Sequence, residues 1–279
     1  MEQIKFSVSM CVYGKDNPDW FRTAVDSILH QTCPPDEVVL VVDGPVPQEL
    51  DAIIQGYEAE PSFRVIRLEV NQGHGEARRI GLNACTNELV ALMDADDISA
   101  PDRFEQQLSA FDANPSLCIV GGHITEFIGE PTNLVGARMV SITDADIKAD
   151  MKKRCPMNQM TVMFRRDDVQ EVGGYLDWYC DEDYYLWVRL FLAGKQFANI
   201  NSYLVNVRVG KEMYRRRGGL RYFKSEAKFQ SYMRKNKVIG FGTYLLNVGK
   251  RLIVQVLLPN RLRGWVFQKF ARKSVNEHA

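Results

Sequence analysis

Short apolar runs and helically spaced apolar positions alternate along roughly the first 120 residues. Phe6–Tyr13 is apolar and partly β-branched, and predicts a first buried strand. Over Trp20–Gln31 the apolar positions fall at Phe21, Ala24, Val25, Ile28 and Leu29, a helical spacing that Pro34 and Pro35 stop. Glu37–Val42 predicts a second strand ending on a turn at Asp43 and Gly44, Pro47–Tyr57 a second helix, and Phe63–Leu68 a third strand. The segment Asn71–Arg79 then opens a helix running to Ala84. Leu89–Met93 is an unbroken apolar run, the pattern of a parallel strand covered on both faces. A helix from about Pro101 to Asn114 follows, with Ser99 in a position to cap it, and then a strand at Leu117–Gly121. Strand and helix in strict alternation predict an α/β fold with a mostly parallel sheet in right-handed βαβ units and helices on both faces.

The rhythm breaks after residue 121. His123–Ser141 contains Gly129, Pro131 and Gly136 and predicts a hairpin or flap. Thr143–Lys152 reads as a short helix, Met160–Phe164 as a strand, Asp181–Ala193 as an amphipathic helix and Phe197–Val209 as a last strand. From Met213 onward the chain is basic and helical in pattern. The formal net charge of zero hides that change. Residues 1–210 carry 18 Lys and Arg against 32 Asp and Glu, a net of −14, and residues 211–279 carry 17 against 3, a net of +14. The reading is therefore a body over 1–210 and a basic, amphipathic extension over 211–279 that meets something anionic.

Composition is that of an ordinary soluble protein and excludes disordered and collagen-like classes. The six cysteines, at 11, 33, 85, 118, 155 and 180, form no Cys-x-x-Cys pair, and the four histidines are scattered. That pattern argues against a zinc site and a dense disulfide framework, and for a reducing compartment. The N-terminus leads straight into a strand without the parts of a signal peptide, and no apolar stretch is long enough to span a bilayer.

The chemistry concentrates where strands end. Asp94, Asp96 and Asp97 crowd the end of the Leu89–Met93 run, at the sheet edge where ligands of open α/β folds sit. Crowded carboxylates raise one another's pKa unless a cation joins them, and hard oxygen ligands suit Mg²⁺ or Mn²⁺ completed by substrate phosphates. A charged turn leading into the next helix is the plainer alternative. Asp43 ends another strand, either as a turn former or as an acceptor for a nucleobase or ribose. Asn71, Gly73, Gly75 and Arg78 precede and open a helix, where glycine amides can approach phosphates and Arg78 can add a charge-assisted contact. Their spacing is not Gly-x-Gly-x-x-Gly, which disfavours a dinucleotide-binding dehydrogenase. Asp181, Glu182 and Asp183 suit the first turn of a helix, and equally supply a general base for an attacking hydroxyl. Arg215, Arg216 and Arg217 before two glycines are either a solvated loop or an arm that closes over phosphates.

Four of these elements occur together in order: a strand ending on Asp43-Gly44, Asn71-x-Gly73-x-x-x-Ala77-Arg78, Asp94-x-Asp96-Asp97, and Glu182-Asp183-x-x-Leu186-Trp187. In that order and spacing the chain resembles family 2 glycosyltransferases, inverting enzymes of the GT-A fold, over roughly residues 4–210. Ser27-Ile28-Leu29-x-Gln31-Thr32 and Pro101-x-Arg103-Phe104 resemble the bacterial members that build O-antigen and exopolysaccharide. The resemblance implies that Asp43 contacts the uracil or ribose of a UDP-sugar, that Arg78 lies near the base or diphosphate, and that Asp94 holds the ribose side. It implies that Asp96 is the DxD acid for Mn²⁺ or Mg²⁺, and that Asp183, less so Glu182, is the catalytic base. With Asn71, Gly73 and Arg215 these complete the candidate donor site. The Gln-x-x-Arg-Trp motif of processive members is missing after Asp183, which favours addition of one sugar per encounter.

In the extension, Phe241–Leu258 sets Leu245, Leu246, Leu252, Ile253 and Leu257 among Lys250, Arg251, Arg261, Arg263, Trp265 and Lys269. This suits a helix lying in an anionic membrane interface, or else one packed on the body. The expected acceptor is a polyprenyl-diphosphate-linked saccharide at the cytoplasmic face of the membrane, with no role for nucleic acid. Rival functions are a nucleotidyltransferase that makes a sugar nucleotide and a non-catalytic sugar-nucleotide or membrane-binding module. The first needs a glycine-rich basic loop after the first strand, where the chain has only Tyr13–Pro18.

Overall fold

The computed structural model describes residues 4–210 and 218–258. Its sheet is assembled from β1 (Phe6–Tyr13), β2 (Glu37–Asp43), β3 (Phe63–Arg67), β4 (Leu89–Met93), β5 (Ile98–Ser99), β6 (Leu117–Phe127), β7 (Leu134–Arg138), β8 (Met163–Arg165) and β9 (Gln196–Arg208). The order is β3-β2-β1-β4-β8-β6-β9-β5, with β7 on β6. The first four strands of that order are parallel, the βαβ half that the alternation predicts. β8 then enters antiparallel between β4 and β6, while the longest ladder, β6 with β9, is parallel again.

The helices of the body are α1 (Pro18–Leu29), α2 (Gln48–Glu58), α3 (His74–Ala84), α4 (Arg103–Ala113), α5 (Asp144–Met151), α6 (Arg166–Glu171) and α7 (Glu182–Leu192). They cover both sheet faces, and the strand sequences divide accordingly. Leu89, Ala91 and Met93 of β4 pack into the core with Phe21, Val25, Leu50 and Phe104. Val90 and Leu92, pointing the other way, pack with Leu82, Ile147, Val169 and Trp187. A period-two strand buried on both faces thus explains an unbroken apolar run.

The extension continues as α8 (Leu220–Lys235) and α9 (Phe241–Leu252), the latter prolonged by a π turn over Ile253–Leu257. Phe229, Met233, Val238 and Ile239 belong to the same core as Tyr184 and Trp187, so buried packing continues across the 210/211 division in charge. No helix among the described residues is long and apolar enough to cross a membrane.

Three local expectations change. α1 starts at Pro18, not Trp20, because Asn17 Oδ1 caps the amides of Asp19 and Trp20 at 3.0 and 3.1 Å. Ser99 caps nothing: it lies in β5 paired with Val205 of β9, its amide donates to Ser27 Oγ at 3.0 Å, and its hydroxyl accepts from Gln31. β6 does not stop at Gly121 but runs on to Phe127.

Candidate active site

The acidic turn joins β4 to β5, and the pairing of Ile98 and Ser99 with Asn206 and Val205 ties it to β9. At its end Asp97 is buried and accepts the Arg208 amide on Oδ1 at 2.9 Å. Arg208 Nε donates to the Asp96 carbonyl at 3.2 Å, and the guanidinium stacks over Trp20 and Phe127. Burial, then the charges of Asp96 and Asp94, push the Asp97 carboxyl well above its ordinary range. Behind the turn Arg103 is fully buried, donating to the Leu92 carbonyl at 2.8 Å and to Gln107 Oε1 at 3.0 Å. Burial pulls its pKa down to about 9, against the opposing pull of Asp94 and Asp97. A buried cation therefore backs the carboxylates.

Asp43 ends β2 and holds the loop before α3. Its two carboxylate oxygens accept the amides of Gln72 at 2.7 Å and Gly73 at 3.0 Å, and Asn71 Nδ2 donates to its carbonyl at 3.1 Å. The Gly73 amide, expected to face phosphates, is thus turned onto Asp43 together with that of Gln72. The glycines serve the turn itself: Gly73 has φ +90, and a Cβ on Gly44 (φ +86) would sit 2.6 Å from the Asn71 amide nitrogen.

Arg78, on the second turn of α3, is buried. Its Nη2 lies 2.9 Å from Asp94 Oδ1 and its Nη1 3.5 Å from Glu182 Oε1. Burial opposes its charge, but Asp94 leads the partners that hold it protonated. Glu182 is raised by burial and by Asp183, with Arg78 opposing. Asp183 Oδ1 accepts the Tyr184 amide at 2.6 Å. Asp181 precedes α7, is buried, and has an Oδ2 with no hydrogen-bond partner among the described residues. Burial, Glu226 and Asp183 raise its carboxyl.

Two cavities meet at this seam. One of about 450 Å³ is lined by Asp43, Asn71, Gly73, Asp94 and Asp96, five of the six expected donor-side and metal residues that are described. The other, about 540 Å³, is lined by Arg78, Asp94, Glu182 and Asp183. Asp94 faces both. Arg78, expected at the donor, lines the second cavity, its guanidinium holding two carboxylates together. Arg215 lies outside the described residues. Two residues that the sequence reading passed over also line the first cavity, Asp16 and Arg208. Asp16 gives no motif; burial, then Asp96 and Asp94, raise its carboxyl to about 6.

Among the described residues no three His, Cys, Asp or Glu side chains form a group able to hold a cation by themselves. The donor set at the acidic turn, Asp96 with Asp94 beside it in the same cavity, instead fits Mg²⁺ or Mn²⁺, ions that one or two carboxylates hold together with substrate phosphates and water.

Comparison with known proteins identifies the family and the fold. A family model described as glycosyl transferase family 2 matches residues 7–173. An Escherichia coli UDP-Gal:alpha-D-GlcNAc-diphosphoundecaprenol beta-1,3-galactosyltransferase is 35% identical over 269 residues, 96% of this chain and 97% of that one. The amylovoran biosynthesis glycosyltransferase AmsE of Erwinia amylovora is 33% identical over 268 residues, covering 95% and 98%. Among solved structures, the mannosyltransferase PcManGT of Pyrobaculum calidifontis, in complex with GDP-Man and Mn²⁺, superposes with a TM-score of 0.62 at 15% identity, over 93% of this chain and 71% of that one. By the family match over more than half its length and by relatives of equal extent, the chain belongs to glycosyl transferase family 2 and is a glycosyltransferase with a GT-A-type fold.

Proposed function

We propose that the enzyme transfers one sugar, with inversion, from a UDP-hexose or UDP-N-acetylhexosamine to a saccharide carried on polyprenyl diphosphate, in bacterial surface polysaccharide synthesis. The observation that carries this reading is the seam: a cavity with Asp96 and a cavity with Asp183 share Asp94 as a common wall. Donor and acceptor chemistry are then separate but adjacent, as a single displacement at an anomeric carbon requires. The full-length likeness to the E. coli galactosyltransferase, whose name specifies a diphosphoundecaprenol-linked acceptor, supports the same choice of substrates.

In this reading Asp43 and Asn71 position the nucleoside, and Asp94 fixes its orientation while held by Arg78. Asp96, with Asp94, would hold Mn²⁺ or Mg²⁺, which supplies Lewis-acid neutralisation of charge developing on the leaving diphosphate. Asp183 takes the proton of the acceptor hydroxyl as it attacks from the opposite face. Glu182, engaged by Arg78, orients that end of α7. Residues 1–210 supply this chemistry, and the extension brings the enzyme to the cytoplasmic leaflet: Phe241, Leu245, Leu246, Leu252 and Ile253 are exposed on α9 and just beyond it, near Lys250.

The test is calorimetric titration with UDP in the presence and absence of Mn²⁺, with GDP and dTDP as controls, followed by transfer assays from UDP-sugars to lipid-diphosphate-linked GlcNAc. Uridine-selective, metal-dependent binding and a single added sugar are expected. Folded enzyme that binds no uridine nucleotide would refute the donor assignment.

A further inference from the structure

A third carboxyl, Asp181, precedes Glu182 and Asp183 and is needed neither for donor binding nor for proton transfer. It stands at the N-cap position of α7, where an aspartate ordinarily accepts the first free amides of a helix, yet its side chain makes no capping bond. It lines the cavity that holds Asp183 instead, only 5% exposed, with no hydrogen-bond partner for Oδ2 among the described residues. Cys180, just before it on the same wall, has a left-handed φ of +63, backbone strain of the kind kept at ligand sites.

The polar groups that the extension brings beside Asp181 are already engaged. α8 contributes Tyr222 and Glu226 to the cavity wall, and α9 contributes Arg251. Glu226 Oε2 lies 2.5 Å from Arg251 Nε, and its Oε1 accepts the Tyr222 hydroxyl at 3.3 Å. The cation whose charge reaches Asp181 is thus taken by Glu226, and no ion pair joins it to Asp181. A carboxyl withdrawn from water with an unbonded oxygen costs free energy, which a ligand that supplies the bond recovers. Burial, then Glu226 and Asp183, raise this carboxyl and favour its neutral form. A neutral carboxyl offers a donor and an acceptor, and a sugar hydroxyl complements both.

We propose that Asp181 anchors the acceptor sugar by a hydrogen bond to one of its hydroxyls, other than the one that attacks, in a pocket that α8 and α9 help to wall. The assignment rests on the reading that the acceptor is a saccharide and Asp183 the base. Asp181 and Asp183 are two positions apart, so their Cα atoms lie within about 7 Å, the scale of one hexose ring. The hydroxyl held by Asp181 therefore belongs to the ring that reacts: Asp181 orients that ring, and Asp183 takes the proton. Such a contact also selects acceptors, because a sugar without that hydroxyl leaves the buried carboxyl unbonded.

The test uses the full chain with Mn²⁺, and UDP-galactose, UDP-glucose and their N-acetyl forms as donors. The acceptors are farnesyl-diphosphate-linked GlcNAc and its 3-, 4- and 6-deoxy analogues; the analogue that gives no product marks the attacked position. Asp181→Ala should raise KM for the GlcNAc acceptor about tenfold or more, the loss of one buried hydrogen bond, with a smaller change in kcat. Asp181→Asn, which keeps a donor and an acceptor, should recover most of that loss. One remaining deoxy analogue should raise KM of wild type by a similar factor and cost Asp181→Ala nothing more. UDP affinity within twofold of wild type reports folding, and the Tm of Asp181→Asn should not fall, as it would if the carboxyl held the fold together. An unchanged acceptor KM in a UDP-binding Asp181→Ala, a loss confined to kcat, or deoxy losses that add to that of the variant at every position would overturn the anchor. A wild type that binds UDP but transfers to none of these acceptors would instead overturn the acceptor reading, and the anchor with it.

Discussion

Arg78 Nη2 lies 2.9 Å from Asp94 Oδ1, a pair that fastens α3 to the end of β4 on the wall between the two cavities. The arginine side chain is only 6% exposed, against 27% for Asp94, so the cation cannot be replaced by water without cost. Arg78→Ala leaves Asp94 and Glu182 facing each other with no cation between. We expect a loss of roughly 2 kcal/mol in urea denaturation, below the 3–5 of a fully buried pair because Asp94 keeps some solvent. UDP binding should weaken as well. Arg78→Lys keeps the charge but not the fork, and should fall between the two.

The two carboxylates at the start of α7 differ in their partners. Glu182 is drawn to Arg78 at 3.5 Å, whereas Asp183 Oδ1 meets the Tyr184 amide, and no ion pair joins it to Arg78. A general base must keep reach to the acceptor, so Asp183→Asn should lower kcat by about 10²–10⁴ while UDP affinity persists. Glu182→Gln should cost only a modest part of turnover. A larger kcat loss in Glu182→Gln than in Asp183→Asn would reverse the assignment.

The parallel half of the sheet was legible because β1, β2 and β4 are largely apolar runs and each helix a spaced pattern between turn signals. Leu89–Met93 is the clearest case: its two sets of side chains feed two cores, so nothing along it is polar. Asp43, Asp94, Asp96 and Asp183 stood out as candidates because they end or follow strands or start a helix. The use made of Asp43 was not: its bonds to Gln72 and Gly73 depend on how β2 and the loop meet in space, which no local pattern encodes. Arg208 escaped for the same reason, since it meets Asp96 and Asp97 from far along the chain, and Asp16 because only the fold brings it near Asp94 and Asp96. β9 hid Ser99 likewise, by pairing with it from about a hundred residues away.

The misplaced end of β6 has a physical cause that can be tested. The strand was expected to end at Gly121, yet it runs on, and β9 packs against Gly121 and Gly122 so closely that side chains are excluded. A Cβ at Gly122 would lie 2.6 Å from Leu204 Cδ1, and one at Gly121 2.6 Å from Asn199 Oδ1. Leu204 is fully buried and cannot withdraw to solvent. Gly122→Ala should therefore lower stability by about 1–3 kcal/mol, the cost of overpacking, despite the better strand propensity of alanine. Thermal unfolding that matches wild type would show that β9 yields.

Asp16 sets a pH dependence. Burial, then Asp96 and Asp94, raise its carboxyl from 3.8 to about 6, so the folded protein holds this proton more tightly than the unfolded chain. Its contribution is complete below pH ~4 and is lost as pH rises through about 6. Asp16→Asn keeps an oxygen for the Tyr13 amide, which Asp16 Oδ2 accepts at 2.9 Å, but carries no charge. The variant should match wild type in Tm near pH 4 and exceed it by pH 7. A gap that is constant across that range, or that closes upward, would remove Asp16 from the carboxylate group.

Membrane attachment is best tested on the outer face of α9, without truncation. Asn247 is buried in hydrogen bonds to Lys152 and Gln230, and Arg251 is paired with Glu226, so deleting the helix would expose polar groups and disturb the body. Leu246 and Ile253, 64% and 53% exposed, can change without breaking those contacts. Each fully buried Leu or Ile contributes about 1.5–3 kcal/mol on leaving water, and partial insertion a fraction of that. Leu246→Glu with Ile253→Glu adds repulsion from anionic headgroups to this loss. Co-sedimentation with phosphatidylglycerol-containing vesicles should therefore fall at least tenfold, while UDP affinity in solution holds. Binding of wild type should also weaken with salt, because Lys250 and the basic residues beyond 258 act through a screened attraction. Retention of the double variant on vesicles as strong as wild type would place the contact elsewhere on the protein and leave the apolar face of α9 without this role.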